Sequence, residues 1–585
     1  MQKIIKEHYK SNSESGAALI LVLAILMTLT LLAFGVITST ATNVSLARNY
    51  EVATQAQNMA DTGIRVCYRE MINVGFIRTT HTEDLADPAT GDELLTTTLE
   101  NYYIDADGYF VWEWDESQAY DPMWNTTTEH GYRFRAYYTT QYEFVIEAEG
   151  WYGPITRRTR AKGQVENMFQ FSYFASRDMG EFVRGASQEI RGKVHANGIM
   201  YIRPSGSTLR VNTDSFTSTG SMVRTRDAWG RPDTSGACEI TKNSQDSGTW
   251  VAMDPGSPRG SEGIAFDSAH ADWTDKTLGA RETWGGVVRD FVPYKSPPPI
   301  QNLDPDEYYY DLANSNGTLV DNTTHSKGWC DRVTNMYNYN EERYQTIWDI
   351  DVAALIAAGD WPTNGLLYCE VPVRLSNATT LQAKLMVASC RNVYTKGDFN
   401  TVNKKGAAIM TMQRIYHLSD NWDDASYVPA LSTTSRTALT TTINGALVDG
   451  APTVDEYNWC DRDGDNDYDY NGTKIYDPEI PKTAAGFNNP YSSSNPWANC
   501  DDLLENWNGT TLTKFGSVVH LGETYDNMTA NLDNSGIGDD EIAWVRKTGY
   551  KPPTRNYLYD PDLADPTTQP PFTPLIGHIR SWEPY

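Results

Sequence analysis

Residues Ala17 to Ile37 form an unbroken run without a charge or a proline. As an α-helix at about 1.5 Å per residue, the run matches a hydrocarbon core of about 30 Å. It is longer than the apolar part of an ordinary secretion signal, about 7–15 residues. A Ser39-Thr40-Ala41 stretch keeps signal cleavage open as an alternative. The segment therefore reads as a discarded signal, a retained anchor, or an element that assembles with others. Ahead of it, Lys3, Lys6 and Lys10 place the short leader on the cytoplasmic side.

The helical pattern continues past the apolar run. Leu46, Tyr50, Ala53, Ala56, Ala60, Ile64, Cys67 and Met71 recur at steps of three and four, one face of a helix. No proline occurs before Pro88. The spacing predicts one helix over residues 17–72, roughly 80 Å long. Its first third is apolar all round. The remainder carries a narrow stripe of mostly small residues that needs a partner, either the chain's own sheet or neighbouring copies of the helix.

A basic leader ending in Gly16, then "AALILVLAILMTLTLLAFGV" and "STATNVSLARNYEVATQAQNMADTGI", resembles the N-terminus of type IV pilins. More narrowly, it is similar to PilX-like minor pilins, in which the helix ends in a "QA…A(E/D)" stretch. The resemblance covers about 60 residues, a tenth of the chain. It implies a leader over 1–16 and cleavage between Gly16 and Ala17 by a prepilin peptidase, which methylates the new amine. It also implies residence in the inner membrane before assembly, then a place in an extracellular filament beside other pilins. Major pilins carry glutamate at the fifth mature position, and here that position is Leu21. By resemblance this points to a minor or tip subunit, or to the tip pseudopilin of a type II-like secretion system. The assembly-helix residues so implied are Leu21, Tyr50, Ala53, Ala56, Ala60 and Ile64.

After a polar stretch, strand signals follow. In "YEFVIEAEG", Tyr142, Phe144, Ile146 and Ala148 share one parity while Glu143, Val145, Glu147 and Glu149 share the other, the pattern of a half-buried strand. With "GYFVWEW", "GYRFRAYYTT" and "WYGPITRR", the strands predict an antiparallel sheet within residues 73–166 that packs on the helix and buries its stripe. The fold class expected is α+β, with a large mainly-β ectodomain over residues 167–585.

In that ectodomain, short apolar pieces alternate with glycine. Three share one form: Ile190-Arg191-Gly192-Lys193-Val194, Ile443-Asn444-Gly445-Ala446-Leu447 and Phe515-Gly516-Ser517-Val518. Such pieces suit a β-helix-like stack whose coils bury their apolar rows on one another. A β-sandwich fits as well. Residues 204–300, rich in Gly, Ser, Thr and Asp, read as insertion loops, and "EERYQTIWDIDVAALIAAG" from Glu341 as holding a short helix. "HANG" and "VYTKGDFNTVNKKGAAIM" also resemble stretches of large PilX-type surface proteins, which implies a shared ectodomain without a known activity.

The sharpest chemical signal is "DRDGDNDYDYNG", residues 461–472. Asp461, Asp463, Asp465 and Asp469 have a spacing that can fold carboxylates around one hard cation, and calcium takes six to eight oxygens from such loops. The EF-hand pattern asks for glycine at its sixth position and glutamate at its twelfth. Here these are Asn466 and Gly472, so the last ligand is Asp469 or comes from elsewhere. A solvated acidic loop is the alternative.

Composition narrows the partners. The chain carries 48 Lys+Arg against 76 Asp+Glu, a net charge of -28 over 585 residues, which repels polyanions and argues against nucleic acid. The 35 Tyr and 17 Trp favour strands and leave room for a sugar-binding surface, so a glycan or another surface ligand is a candidate partner. Of the seven cysteines, the six from Cys238 onward suit disulfides in an exported chain or buried free thiols, and none forms a CxxC pair. There is no HExxH, GxSxG or P-loop. His195 reads as a turn residue and no catalytic residue is assigned. A membrane-anchored exoenzyme acting on polysaccharide remains the alternative to a structural or adhesive role.

Overall fold

A computed structural model of the chain describes residues 2–73, 102–114, 129–182, 188–203, 208–223, 236–253, 284–338, 343–427, 435–450, 504–521 and 553–584, apart from single positions within them. In the helix, side chains are described from residue 19. The chain divides into two compact units. One comprises Met1–Glu70, Thr80–Gly163 and Ile579–Tyr585; the other comprises Met71–Thr79 and Gln164–His578.

In the first unit a single helix, α1, spans Gln2–Asn73. Its threonines keep their hydroxyls satisfied internally: Thr28 donates to the Ala24 carbonyl, Thr30 to that of Leu26 and Thr38 to that of Phe34, each at 2.7 Å. These back-bonds let polar residues sit in an otherwise apolar rod. The sheet beside it contains β1 (Tyr103–Ile104), β2 (Phe110–Trp114), β3 (His130–Thr140), β4 (Glu143–Tyr152) and β5 (Ile155–Asn167), in that spatial order. Pairing is antiparallel from β1 to β4, with Phe134 opposite Ala148. A sixth strand, Leu575–Pro584, lies next to β5.

Strand β4 differs from the half-buried expectation. From Phe144 to Ala148 every residue is buried. The helix covers the Ile146 face. On the opposite face Arg135 and Arg160 reach over Glu147, at 2.8 and 2.7 Å, and shield it from water. Those hydrogen bonds outweigh the burial that opposes the charge, and hold the Glu147 carboxyl below its ordinary pKa.

The second unit is a stack of parallel coils. On one side, Leu366–Cys369, Leu385–Ser389, Ala407–Thr411, Thr441–Asp449 and Thr511–His520 pair in parallel register. On another, Val373–Ser376, Val393–Lys396 and Ile415–Leu418 do the same, with Val373 opposite Val393 and Val393 opposite Ile415. The coil repeat is therefore 20 residues (393 − 373), then 22 (415 − 393). The β-helix-like reading describes this unit; a sandwich does not. Strands such as Leu385–Ser389 are buried throughout because both faces are covered. Leu385 and Val387 face the coil interior with Ile409 and Leu512. Met386 and Ala388 face an outer layer that includes Phe169, Leu303 and Tyr309.

Within 204–300, read as insertion loops, the described residues contribute coils. Thr208–Asn212 pairs with Gln188–Arg191 and with Ala237–Thr241, and Phe216–Ser218 pairs with Lys193–Ala196 and with Val288–Arg289. These strands have two to five residues, too short to show a period. This half of the stack starts near residue 171 and grows away. The other half starts at Thr318–Val320 and grows back, ending at Thr511–His520. The halves meet there: Leu512 pairs with Arg555 and Val518 with Tyr173.

The three glycines expected at turns fall in one row of the stack, but Gly445 and Gly516 lie inside the continuous strands Thr441–Asp449 and Thr511–His520, and only Gly192 separates two strands. Gly445 lies opposite Gly516, and a Cβ on Gly516 would sit 1.9 Å from the Gly445 carbonyl oxygen. Phe515 pairs with Leu558 and Leu558 with Arg191, so Gly192 follows in the same row. The helix foreseen after Glu341 is Val352–Ala358. Asp351 caps it by accepting from the Ala354 amide, and Gly359 ends it at φ 74°.

Candidate functional site

The stripe on α1 divides in two. Leu46 and Tyr50 are exposed, Tyr50 at 77%, and Ala53 is half-buried. Ala56, Met59, Ala60, Ile64 and Cys67 are fully buried. The seat is made by missing side chains. A Cβ on Gly150 of β4 would lie 2.1 Å from the Ala60 amide nitrogen and 2.6 Å from the Ala56 carbonyl oxygen. On the helix, a Cβ on Gly63 would approach that of Ala148 to 3.1 Å. Backbone rests on backbone, which only glycine and alanine permit.

A polar pin secures the same stretch. Oδ1 of Asp61 accepts from Gln57 Nε2 at 3.0 Å, from the Thr159 hydroxyl at 3.2 Å and from Trp582 Nε1 at 3.1 Å. One helix carboxylate thus ties β5 and the C-terminal strand to α1. Nothing in the sequence singles out Asp61, because two of its three partners lie 98 and 521 residues away.

Upstream of the seat, the helix has no partner among the described residues. Its apolar window is wholly unburied, and the helix is long and apolar enough to cross a membrane. Leu21 is 62% exposed, and Gly35 leaves a notch with no atom within 4 Å of where a Cβ would stand. Gly16 and Ala17 fall within the helical span.

His195 sits in a strand, not a turn, and is fully buried. Asn197 Oδ1 accepts from the Lys295 amide, so His195 Nε2, 3.0 Å away, must carry the proton. Nδ1 then accepts from the Thr217 hydroxyl at 2.9 Å. Burial lowers the ring's pKa to about 4, aided by Lys295 and opposed by the Asn197 hydrogen bond. This is a neutral packing histidine with both nitrogens engaged.

The acidic loop with Asp461, Asp463, Asp465 and Asp469 lies outside the described residues, as do Cys460 and Cys500. Among the described residues, no group of three His, Cys, Asp or Glu is placed to hold a metal ion. Cys67, Cys238, Cys330, Cys369 and Cys390 are buried thiols outside any disulfide. Burial, reinforced by Asp331 and Asp349, pushes the Cys330 thiol up to about 12. Of the two sequence alternatives for the six cysteines from Cys238 onward, buried thiols describe the four that lie among the described residues.

No protein-family profile matches the sequence, and no curated protein matches it. Among solved structures, the competence-associated pilin ComZ from Thermus thermophilus is similar at 11% identity, with a TM-score of 0.25, over 91% of this chain and 98% of that one.

Proposed function

We propose that this chain is a minor or tip subunit of a type IV pilus, a PilX-like pilin whose coil stack is the exposed, ligand-facing part. The observation that carries this reading is the divided helix. Its C-terminal part, from Ala56, is seated on Gly150 and pinned through Asp61, while the stretch from Leu19 to Ile37 is apolar all round and bare. A secretion signal needs no such continuity with a folded seat. A rod that passes from a bilayer into a bundle of like rods does. Leu21 in place of glutamate and a bulky second unit both favour low occupancy or a tip position over a bulk shaft role.

On this reading the partners are the prepilin peptidase, the inner membrane and then the helices of other pilins. The stack meets a surface or glycan and has a structural and adhesive role, not a catalytic one. Calcium held by Asp461, Asp463, Asp465 and Asp469 orders the acidic loop, since five aspartates in nine residues repel one another without a cation.

The deciding experiment is the mature N-terminus, read by mass spectrometry of protein from the native envelope. A methylated Ala17 supports assembly. A start near Thr42 makes the run a discarded signal, and an intact Met1 makes it an anchor. Either of these sinks the proposal.

A further inference from the structure

At one corner of the coil stack, Asn400 adopts φ 56° and closes a turn on itself. Its Nδ2 donates to the Lys405 and Asn444 carbonyls, and its Oδ1 accepts from the Lys405 amide. That turn fixes Lys404, whose side chain meets the segment returning toward the C-terminus. Its Nζ lies 2.6 Å from Asp560 Oδ1 and 2.8 Å from Asp562 Oδ2. The Phe515 ring stands 4.8 Å from Nζ. Asp560 is 4% exposed and caps a short 3-10 turn, its Oδ1 accepting from the Asp562 amide at 3.1 Å.

Lys404 rests as an ammonium. Burial disfavours the Lys404 charge, but the hydrogen bonds to Asp560 and Asp562 outweigh it and raise its pKa. The arrangement also has the parts of an acyl-transfer site. A nitrogen this close to one carboxylate oxygen stands roughly 3–3.5 Å from the carboxyl carbon, a near-attack separation. The Asp562 amide already donates to Oδ1, where negative charge develops when a nucleophile adds. The Asp562 carboxylate touches Nζ and is more than half exposed, so it can take up a proton and release it.

We propose that Lys404 and Asp560 condense in the folded protein to an intramolecular amide, with Asp562 relaying the proton. Nζ bonds to Cγ of Asp560 and the Cγ–Oδ2 bond breaks. Protons leaving Nζ pass through Asp562 to Oδ2, which departs as water. An ammonium and a carboxylate become one amide and one water, so charge and atoms balance and no oxidant is needed. The bond joins residues 156 apart and fastens a coil corner to the returning segment.

The test is the denatured intact mass of the full chain, followed by peptide mapping. The expected result is a chain one water lighter than its sequence, with a branched peptide joining Lys404 to Asp560. Lys404→Arg should have the full mass, and Asp562→Asn, which keeps the amide donor, should leave most chains unlinked. A wild-type chain of full mass, or a water loss that maps elsewhere, overturns the proposal. Complete linkage in Asp562→Asn overturns the relay. If either variant fails to fold, the wild-type map alone decides.

Discussion

Asp61 on the N-terminal helix accepts a hydrogen bond from the indole of Trp582, 521 residues further along the chain. The contact ties the C-terminal strand, which completes the first unit's sheet, to the helix. That sheet has an edge place that the C-terminal strand fills. Asp61→Ala removes three hydrogen bonds at once and should cost about 1–2 kcal/mol. Trp582→Phe removes one and should cost less. Thermal melts of the two variants check the order; melts equal to that of the wild type would mean that the pin contributes nothing.

Gly150→Ala sets a methyl group against helix backbone atoms, which cannot turn aside as a side chain can. We expect a loss of at least about 2 kcal/mol, at the upper end of overpacking. Gly35→Ala has open space around it and should leave the melt of the isolated protein unchanged. If Gly35 faces a neighbouring helix in a filament, the same change should reduce surface assembly, measured by the filament-bound fraction in cell extracts.

Two buried groups give opposite pH slopes. His195, with its pKa lowered to about 4, stays neutral in the fold, while the unfolded chain takes up its proton near 6.5. Its contribution is full above that value and is lost as pH falls from 6.5 to 4. Glu505 is raised to about 7 by burial, against the lowering effect of Ser419, Arg436 and Lys396. Its contribution is full below 4.5 and is lost as pH rises from 4.5 to 7. Each amounts to about 3 kcal/mol at most. Urea midpoints between pH 4.5 and 7 should therefore fall on acidification for Glu505→Gln and rise for His195→Gln. Parallel slopes in the two variants would refute the assignment.

Calcium bound at residues 461–472 should raise the melting temperature, and excess EDTA should lower it. Asp463→Asn together with Asp465→Asn should abolish the difference. An unchanged melt in EDTA counts against the site.

Gly516→Ala brings a methyl group within bonding distance of the Gly445 carbonyl, in the row where the two halves of the stack meet. Destabilisation of about 2 kcal/mol or more is expected, read as a lower urea midpoint. A neutral outcome would show that the row relaxes freely.

The helix was legible because its period is long and uninterrupted; the shared glycine pieces were legible as a repeated row, but not that Gly445 and Gly516 sit inside strands. A short helix was legible in the stretch from Glu341, though its bounds, Asp351 and Gly359, were not. What was not legible was long-range pairing. Nothing in "LIGHIRSWEP" says that its neighbour is β5, and nothing in Asp61 names Trp582. The coils within residues 204–300 escaped notice because strands such as Val288–Arg289 are too short to carry a period. The split in the helix stripe depends on where the sheet ends, and Tyr50 and Ala56 look alike in spacing.

Because the chain leaves the first unit through β5 and re-enters beside it at Ile579, the coil stack is a cassette set into a host. A dye at residue 584 therefore reports on the helix-bearing unit, although nearly all of the stack precedes it in sequence. An epitope meant for display belongs in a coil loop. A nested arrangement of this kind also lets the cassette be exchanged while the rod and its seat are kept.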